Sequence, residues 1–120
     1  MKIKSHHIGI EVQNLEKSVE FYESIFNFKT VACFILENEK IVFLENNGVK
    51  VELIHSDSIT TPTSTVHFSW EVDHLETMIE TLSMHSLHPF EGPILLDNGW
   101  ITVFYKGLDS EIIEIIQSSL

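Results

Sequence analysis

The sequence contains no arginine: all seven basic residues are lysine, against 18 aspartates and glutamates, for a formal net charge of −11. Without a guanidinium there is no planar fork to clamp a carboxylate or phosphate through two parallel hydrogen bonds. A surface of this sign repels nucleic-acid backbones and anionic lipid, so no nucleic-acid partner and no membrane partner is expected. Cysteine is nearly absent too. Cys33 alone makes neither an internal disulfide nor a cysteine zinc knuckle. No run approaches the roughly 20 apolar residues of a membrane span. The opening Met1-Lys2-Ile3-Lys4-Ser5-His6 turns polar before a signal-peptide core can form. Together these absences lead us to expect a soluble, cytoplasmic protein.

What is present is a globular balance, 43% hydrophobic and 21% charged, over 120 residues, which is one domain's worth of chain. Histidine is in excess. Seven in this length directs attention to metal ligation, since neutral imidazole is the commonest metal ligand among side chains.

The chain repeats itself. At an offset of 60, His7-Ile8-Gly9-Ile10-Glu11-Val12 falls on His67-Phe68-Ser69-Trp70-Glu71-Val72. Leu15-Glu16 then falls on Leu75-Glu76, and Val19-Glu20 on Ile79-Glu80. Near the ends of the halves, Val51-Glu52-Leu53-Ile54 falls on Ile113-Glu114-Ile115-Ile116 at an offset of 62. Chance likeness of apolar runs does not explain why polar His and Glu coincide in both blocks; duplication does.

Each half has the same grammar. Residues 5–12 and 66–72 alternate and are rich in β-branched or aromatic side chains, which predicts a strand. A short helix follows, with Leu15, Val19, Tyr22 and Phe26 on one stripe and Leu75, Met78, Ile79 and Leu82 on its counterpart. Asn14 and Asp73 are the expected N-caps. Three strands complete each half, near 30–37, 40–46 and 49–55, then near 88–95, 100–106 and 110–117. Asn47-Gly48 and Asn98-Gly99 suit the positive φ of tight hairpins, while Pro89 and Pro93 interrupt the first of the later strands. Residues 56–65, rich in Ser and Thr with Pro62, read as a linker. The fold class is therefore α+β: one domain over 1–120, built from tandem βαβββ modules at 1–55 and 66–120.

Side chains alternate across a strand. His7, Gly9 and Glu11 share the face away from the helix, as do His67, Ser69 and Glu71, while Ile8, Ile10, Val12, Phe68, Trp70 and Val72 face it. Glu52 lies between core positions Val51 and Leu53. Glu114 lies among Ile112, Ile113, Ile115 and Ile116, where a charge is costly to bury unless it is paired or binds a metal. If the halves curl into one cup, His7, Glu52, His67 and Glu114 converge. Two imidazoles and two carboxylates carry a charge of −2 and suit Zn²⁺, Ni²⁺, Co²⁺, Mn²⁺ or Fe²⁺ better than Ca²⁺ or Mg²⁺. The other histidines have plainer readings: His6 and His55 at the surface, and His74, His85 and His88 solvated. Cys33 reads as an inert core thiol. Trp100 is open between lining the cup and packing.

These segments resemble the vicinal oxygen chelate superfamily, which includes glyoxalase I, methylmalonyl-CoA epimerase, extradiol dioxygenases, fosfomycin-modifying enzymes and bleomycin resistance proteins. The likeness rests on His7-Ile8-Gly9-Ile10-Glu11-Val12, Phe21-Tyr22, Val51-Glu52-Leu53, His67-Phe68 and Ile113-Glu114-Ile115, and it covers nearly the whole chain. It implies paired modules forming a curved mixed sheet around a divalent metal held by His7, Glu52, His67 and Glu114. It also implies Glu114, with Glu52, as the base in proton transfer next to a carbonyl, a small-molecule substrate, and a homodimer. Glu at position 52 sets the chain apart from the dioxygenases and thiol transferases, which use two His and one carboxylate. Retention of the ligand set sets it apart from non-catalytic binding and resistance proteins. Both remain as alternatives. Glyoxalase I commonly carries Arg four residues after its first His ligand, to hold a glutathione carboxylate, and Glu11 stands at that place here.

Overall fold

The structure is a computed structural model that describes residues 2, 5–36, 38–58 and 66–118. The chain divides into two compact units, Met1–Thr63 and Ser64–Leu120. Within the first, β1 (Ile8–Glu11) leads to α1 (Leu15–Phe26), then to β2 (Lys29–Leu36), β3 (Glu39–Asn46) and β4 (Val49–His55). The second repeats the series as β5 (His67–Glu71), α2 (Leu75–Met84), β6 (Glu91–Leu95), β7 (Ile101–Lys106) and β8 (Ile112–Gln117). The linker read at 56–65 lies, from 59 onward, outside the described residues, as does Glu37 at the end of the expected strand 30–37.

Each unit contains a four-stranded mixed sheet, ordered β1-β4-β3-β2 in the first and β5-β8-β7-β6 in the second. The first and last strands of a unit pair in parallel, because the helix carries the chain across between them, while the hairpin-linked strands pair antiparallel. The registers repeat residue for residue. Gly9 pairs with Glu52 as Ser69 pairs with Glu114, and Phe43 pairs with Glu52 as Phe104 pairs with Glu114. The two residues that lengthen the second half are thereby located. One precedes Phe104. The other is in the β7–β8 hairpin, where five residues separate Lys106 from Ile112 against four between Glu45 and Lys50.

One face of each sheet packs beneath its helix. Ile10, Val12, Leu44, Val51 and Leu53 are buried in the first unit with Phe21, Tyr22 and Phe26 of α1. Phe68, Val103, Tyr105, Ile113 and Ile115 are buried in the second with Leu75 and Leu82 of α2. The alternation read from the sequence holds at Ile10, Val12 and Phe68, but Ile8 at the start of its strand is exposed and Trp70 is half-buried against Phe68. The buried stripe of α1 also includes Ser18, whereas Val19 is only half-buried.

The caps differ from each other. Asn14 caps α1 as expected, its Oδ1 accepting from Lys17 N at 3.0 Å. Asp73 does not cap α2. His74 occupies that position without a side-chain bond, and the orphan N–H of Leu75 donates instead to Gln117 Oε1 at 2.8 Å, a partner brought in by β8. The Asn47-Gly48 turn forms with φ positive at both residues, 50° and 85°, the combination that a two-residue hairpin with the right twist requires. Pro89 falls just before β6, which starts at Glu91 and shifts register before Ile94, so the interruption expected from Pro89 and Pro93 shortens the strand but does not abolish it.

β2 and β6 are each an edge strand of their own sheet, opposite β1 and β5 respectively. Cys33 is exposed on β2 and is not the core thiol expected from its apolar neighbours. A strand's own sequence does not reveal whether anything covers its two faces, and at this edge Val31, Phe34 and Ile35 are exposed as well. No helix among the described residues is long and apolar enough to cross a membrane.

Candidate functional site

The four candidate residues come together two by two. In the first unit His7 directly precedes β1, and its Nε2 lies 3.3 Å from Oε1 of Glu52 on the neighbouring strand β4. In the second, His67 opens β5 and its Nε2 lies 3.1 Å from Oε1 of Glu114 on β8. The parallel pairing explains the meeting. His67 stands opposite Ile112, so Glu114 is two residues farther along and on the same face. Among the described residues no group of three or more His, Cys, Asp or Glu side chains is assembled that could hold an ion by itself.

The spacing within each pair fits a shared cation. Metal–nitrogen and metal–oxygen bonds of ~2.1 Å, meeting at tetrahedral to octahedral angles, separate two donor atoms by roughly 3.0–3.4 Å. Both pairs fall in that window, and each presents one imidazole nitrogen and one carboxylate oxygen.

Aromatic rings flank both histidines. Phe43 meets His7 edge-to-face with centroids 5.0 Å apart, and Phe104 meets His67 likewise at 5.9 Å. These phenylalanines stand opposite the two glutamates in register, so each His–Glu pair has the same apolar neighbour. His6 adds a contact in the first unit, its Nδ1 lying 2.8 Å from Nδ1 of His7. Where His7 Nδ1–H is the donor in this contact, its Nε2 carries no proton and is available to bind a metal.

Glu114 receives further hydrogen bonds. The Thr102 hydroxyl donates to its Oε2 at 2.5 Å, and Ser69 faces Glu114 across the β5–β8 register. Burial pushes the Glu114 carboxyl upward, but hydrogen bonding from Thr102, His67 and Ser69, with the electrostatic effect of His67, outweighs it and holds the carboxyl below its ordinary value. The sequence reading passed over Thr102 and Ser69. Their signal was present: Thr102 is a lone hydroxyl at the parity of Phe104 in an apolar strand, and Ser69 stands two residues after His67.

The remaining histidines are structural or solvated. His55 is half-buried and its Nδ1 lies 2.9 Å from the Val12 carbonyl, so it braces the β1 exit and is not a surface residue as expected. His74, His85 and His88 are exposed. Trp100 is exposed, with its backbone N–H donating to Asn98 Oδ1 in the β6–β7 turn. Glu11 and Glu71 are exposed, and Glu71 accepts a bond from the Ser118 hydroxyl.

Residues 6–104 match the family model of the glyoxalase/bleomycin resistance protein/dioxygenase superfamily. The chain belongs to this superfamily. Its members commonly use a divalent metal and act on or bind small molecules, and glyoxalase members are often dimers. The resemblance to the vicinal oxygen chelate proteins is thus confirmed at the level of family and fold. A glyoxalase family protein from Enterococcus faecalis superposes with a TM-score of 0.83 at 20% identity, over 94% of this chain and 96% of that one. A glyoxalase I mutant from Zea mays gives 0.78 at 20% identity, over 96% of this chain and 45% of that one. In sequence, a probable trivalent organoarsenical cleaving enzyme of Bacillus subtilis (strain 168) is 32% identical over 78 residues, 65% of this chain. The chain spans about half the length of this curated relative, 51% of which is matched.

Proposed function

We propose that the protein is a divalent-metal-dependent enzyme that moves a proton on carbon next to a carbonyl of a small-molecule substrate. In this reading His7, Glu52, His67 and Glu114 form one ligand set, and the two modules act as a single domain. The observation that supports it is the repeated His–Glu pair, at 3.3 and 3.1 Å, on register-equivalent strands of both units. Two nitrogens and two carboxylate oxygens match Zn²⁺, Ni²⁺, Co²⁺, Mn²⁺ or Fe²⁺. When bound, such an ion stabilises negative charge developing on the carbonyl oxygen. The carboxylates Glu114 and Glu52 supply the base that accepts the proton from carbon and returns it. Phe43 and Phe104 pack edge-on against the two histidines, and His6 touches the His7 ring.

The test has two parts. Titration of metal-free protein with Ni²⁺ or Zn²⁺ gives about one site per chain, lost or much weakened in both His7→Ala and Glu114→Ala. Unchanged binding in both variants excludes the four-ligand set. The Ni²⁺-loaded protein in D₂O then exchanges the carbon-bound protons of hydroxyacetone, followed by proton NMR. Stoichiometric metal binding without exchange on a panel of such ketols points to a non-catalytic binding protein of the same fold.

One observation favours a second reading, the likeness to the organoarsenical cleaving enzyme. Two histidines and one carboxylate with open positions are the arrangement of Fe(II) oxygenases, and Glu52 as a fourth donor works against it. Trivalent arsenic also binds sulfur, and the chain offers one thiol, Cys33. Oxygen uptake by Fe²⁺-loaded protein with release of arsenite from a trivalent methylarsenical decides for that reading.

A further inference from the structure

Lys106 is the one lysine between Ser64 and Leu120, a unit that carries nine aspartates and glutamates. Coulomb attraction should draw a lone ammonium in such surroundings onto a carboxylate. It does not. Among the described residues none of the nine lies within ion-pair distance of it, not even Glu91 on the neighbouring strand β6. Its Nζ stands instead 5.0 Å from the centroid of the Phe90 ring. An aromatic face holds a cation in place without neutralising it. Lys106 is also exposed, so its charge remains open to an anion from solution.

The position of this charge gives it meaning. Lys106 pairs with Ile112 on β8, and Ile112 pairs with His67 on β5. Paired residues of adjacent strands share a face, so the three form one row on the face of the His67–Glu114 pair. Two strand spacings of ~4.8 Å set the backbones of Lys106 and His67 about 10 Å apart. The ground beside that row is apolar. Phe90 and Phe104 lie with ring centroids 6.3 Å apart, Phe90 is 47% exposed, and Phe104 reaches the His67 ring.

The first unit has the rings without the cation. Phe34 stacks on Phe43, centroids 6.0 Å apart, much as Phe90 meets Phe104. At the register position of Lys106 stands Glu45, paired with Lys50 where Lys106 is paired with Ile112. The cation is therefore a feature of the second unit and not of the repeated fold.

We propose that Lys106, braced on Phe90, recognises the carboxylate of an aromatic monocarboxylate whose ring lies against Ile112 and Phe104 and whose far end reaches the His67–Glu114 pair. A lysine offers a point charge and no fork, which limits the class to a single carboxylate. A benzene ring substituted at opposite ends bridges most of the row, buries apolar surface on the way and has few torsions to freeze. That the far group is a carbonyl rests on the proton-transfer reading above; the recognition of a carboxylate rests on Lys106 and its neighbours alone. Lys106 is thus a specificity-determining residue, and Phe90 a positioning residue acting through it.

The probe is 4-acetylbenzoate, with a carboxylate at one end and a methyl ketone at the other, titrated into metal-free ¹⁵N-labelled protein at low salt. Saturable amide shifts are expected at Phe90, Phe104, Lys106 and Ile112. Lys106→Met, which keeps the length and removes the charge, weakens affinity about tenfold or more, the loss of one charge-assisted contact. Lys106→Arg retains affinity within about threefold, and Phe90→Leu loses about threefold through the missing ring face. Lys17→Met, which removes the same charge from the exposed side of α1, changes nothing. The neutral isostere 4-acetylbenzamide binds wild type about tenfold or more weakly and is indifferent to Lys106→Met. Absence of saturable binding, equal affinity in Lys106→Met, or an amide bound as tightly as the acid overturns the proposal. Deuterium exchange of the acetyl protons by Ni²⁺-loaded protein in D₂O tests the other reading separately. Charge-dependent binding without exchange upholds the carboxylate site and counts against proton transfer, whereas exchange with binding unaltered in Lys106→Met overturns the carboxylate site alone.

Discussion

Two single residues carry tensions that measurement can resolve. Tyr105 is 0% exposed, and among the described residues its hydroxyl has no hydrogen-bonding partner. Burial pushes the phenol's pKa upward, so it stays protonated and unsatisfied. An unpaired buried polar group costs about 1–3 kcal/mol. Tyr105→Phe removes that cost with little change in shape and should raise stability by about 1 kcal/mol in urea unfolding. Glu114 bears on pH dependence. Its folded carboxyl titrates below the ordinary value of 4.5, so the folded state binds its proton less readily than the unfolded chain. The resulting stabilisation is fully present above about pH 4.5 and is lost as pH falls through the lower folded value. Metal-free wild type should therefore be more stable than Glu114→Gln at pH 7, with the gap narrowing steadily between pH 4.5 and the acid limit of the unfolding curves.

At the scale of elements, the two helices start by different means. α1 begins with a local cap, Asn14 to Lys17, while α2 takes its first acceptor from Gln117 at the far end of its unit. Asn14→Ala should cost about 1 kcal/mol, the usual loss for a removed N-cap. Asp73→Ala should leave stability within about 0.5 kcal/mol, as for a surface position without such a role. Equal losses from both substitutions would contradict the cap assignments. The same contrast explains why one cap was readable from sequence and the other was not. A bond to the third residue ahead is local, whereas a bond from residue 117 to residue 75 exists only after β8 has paired with β5.

For the whole molecule, charge and assembly are the quantities to test. With Glu11 where glyoxalase I commonly has Arg, and no arginine elsewhere, an anionic substrate tail meets repulsion and no guanidinium contact. Turnover of the glutathione hemithioacetal of methylglyoxal should be poor with Ni²⁺ or Zn²⁺, and Glu11→Arg should raise it. Steady-state kcat/KM within the ordinary enzymic range of ~10⁴–10⁸ M⁻¹s⁻¹ for wild type would refute this. The homodimer that the family resemblance implies predicts a light-scattering mass twice the 13.8 kDa of one chain at micromolar concentration, and a mass of 13.8 kDa would exclude it.

The sequence by itself determined the repeated βαβββ order, the helix stripes, the Asn-Gly hairpin and the four His and Glu candidates. All of these follow from periodicity, short-range turn chemistry and a duplication visible as paired polar residues. Tertiary structure decided which side chains meet. Parallel pairing of first and last strands brings His7 to Glu52 and His67 to Glu114 across more than 40 residues of chain. It also places Thr102 and Ser69 on one carboxylate and Ile41 and Gly9 beside the other. The exposure of Cys33 and the bracing role of His55 were decided there too, because edge position and long-range hydrogen bonding are properties of neighbours in space and leave no periodic trace along the chain.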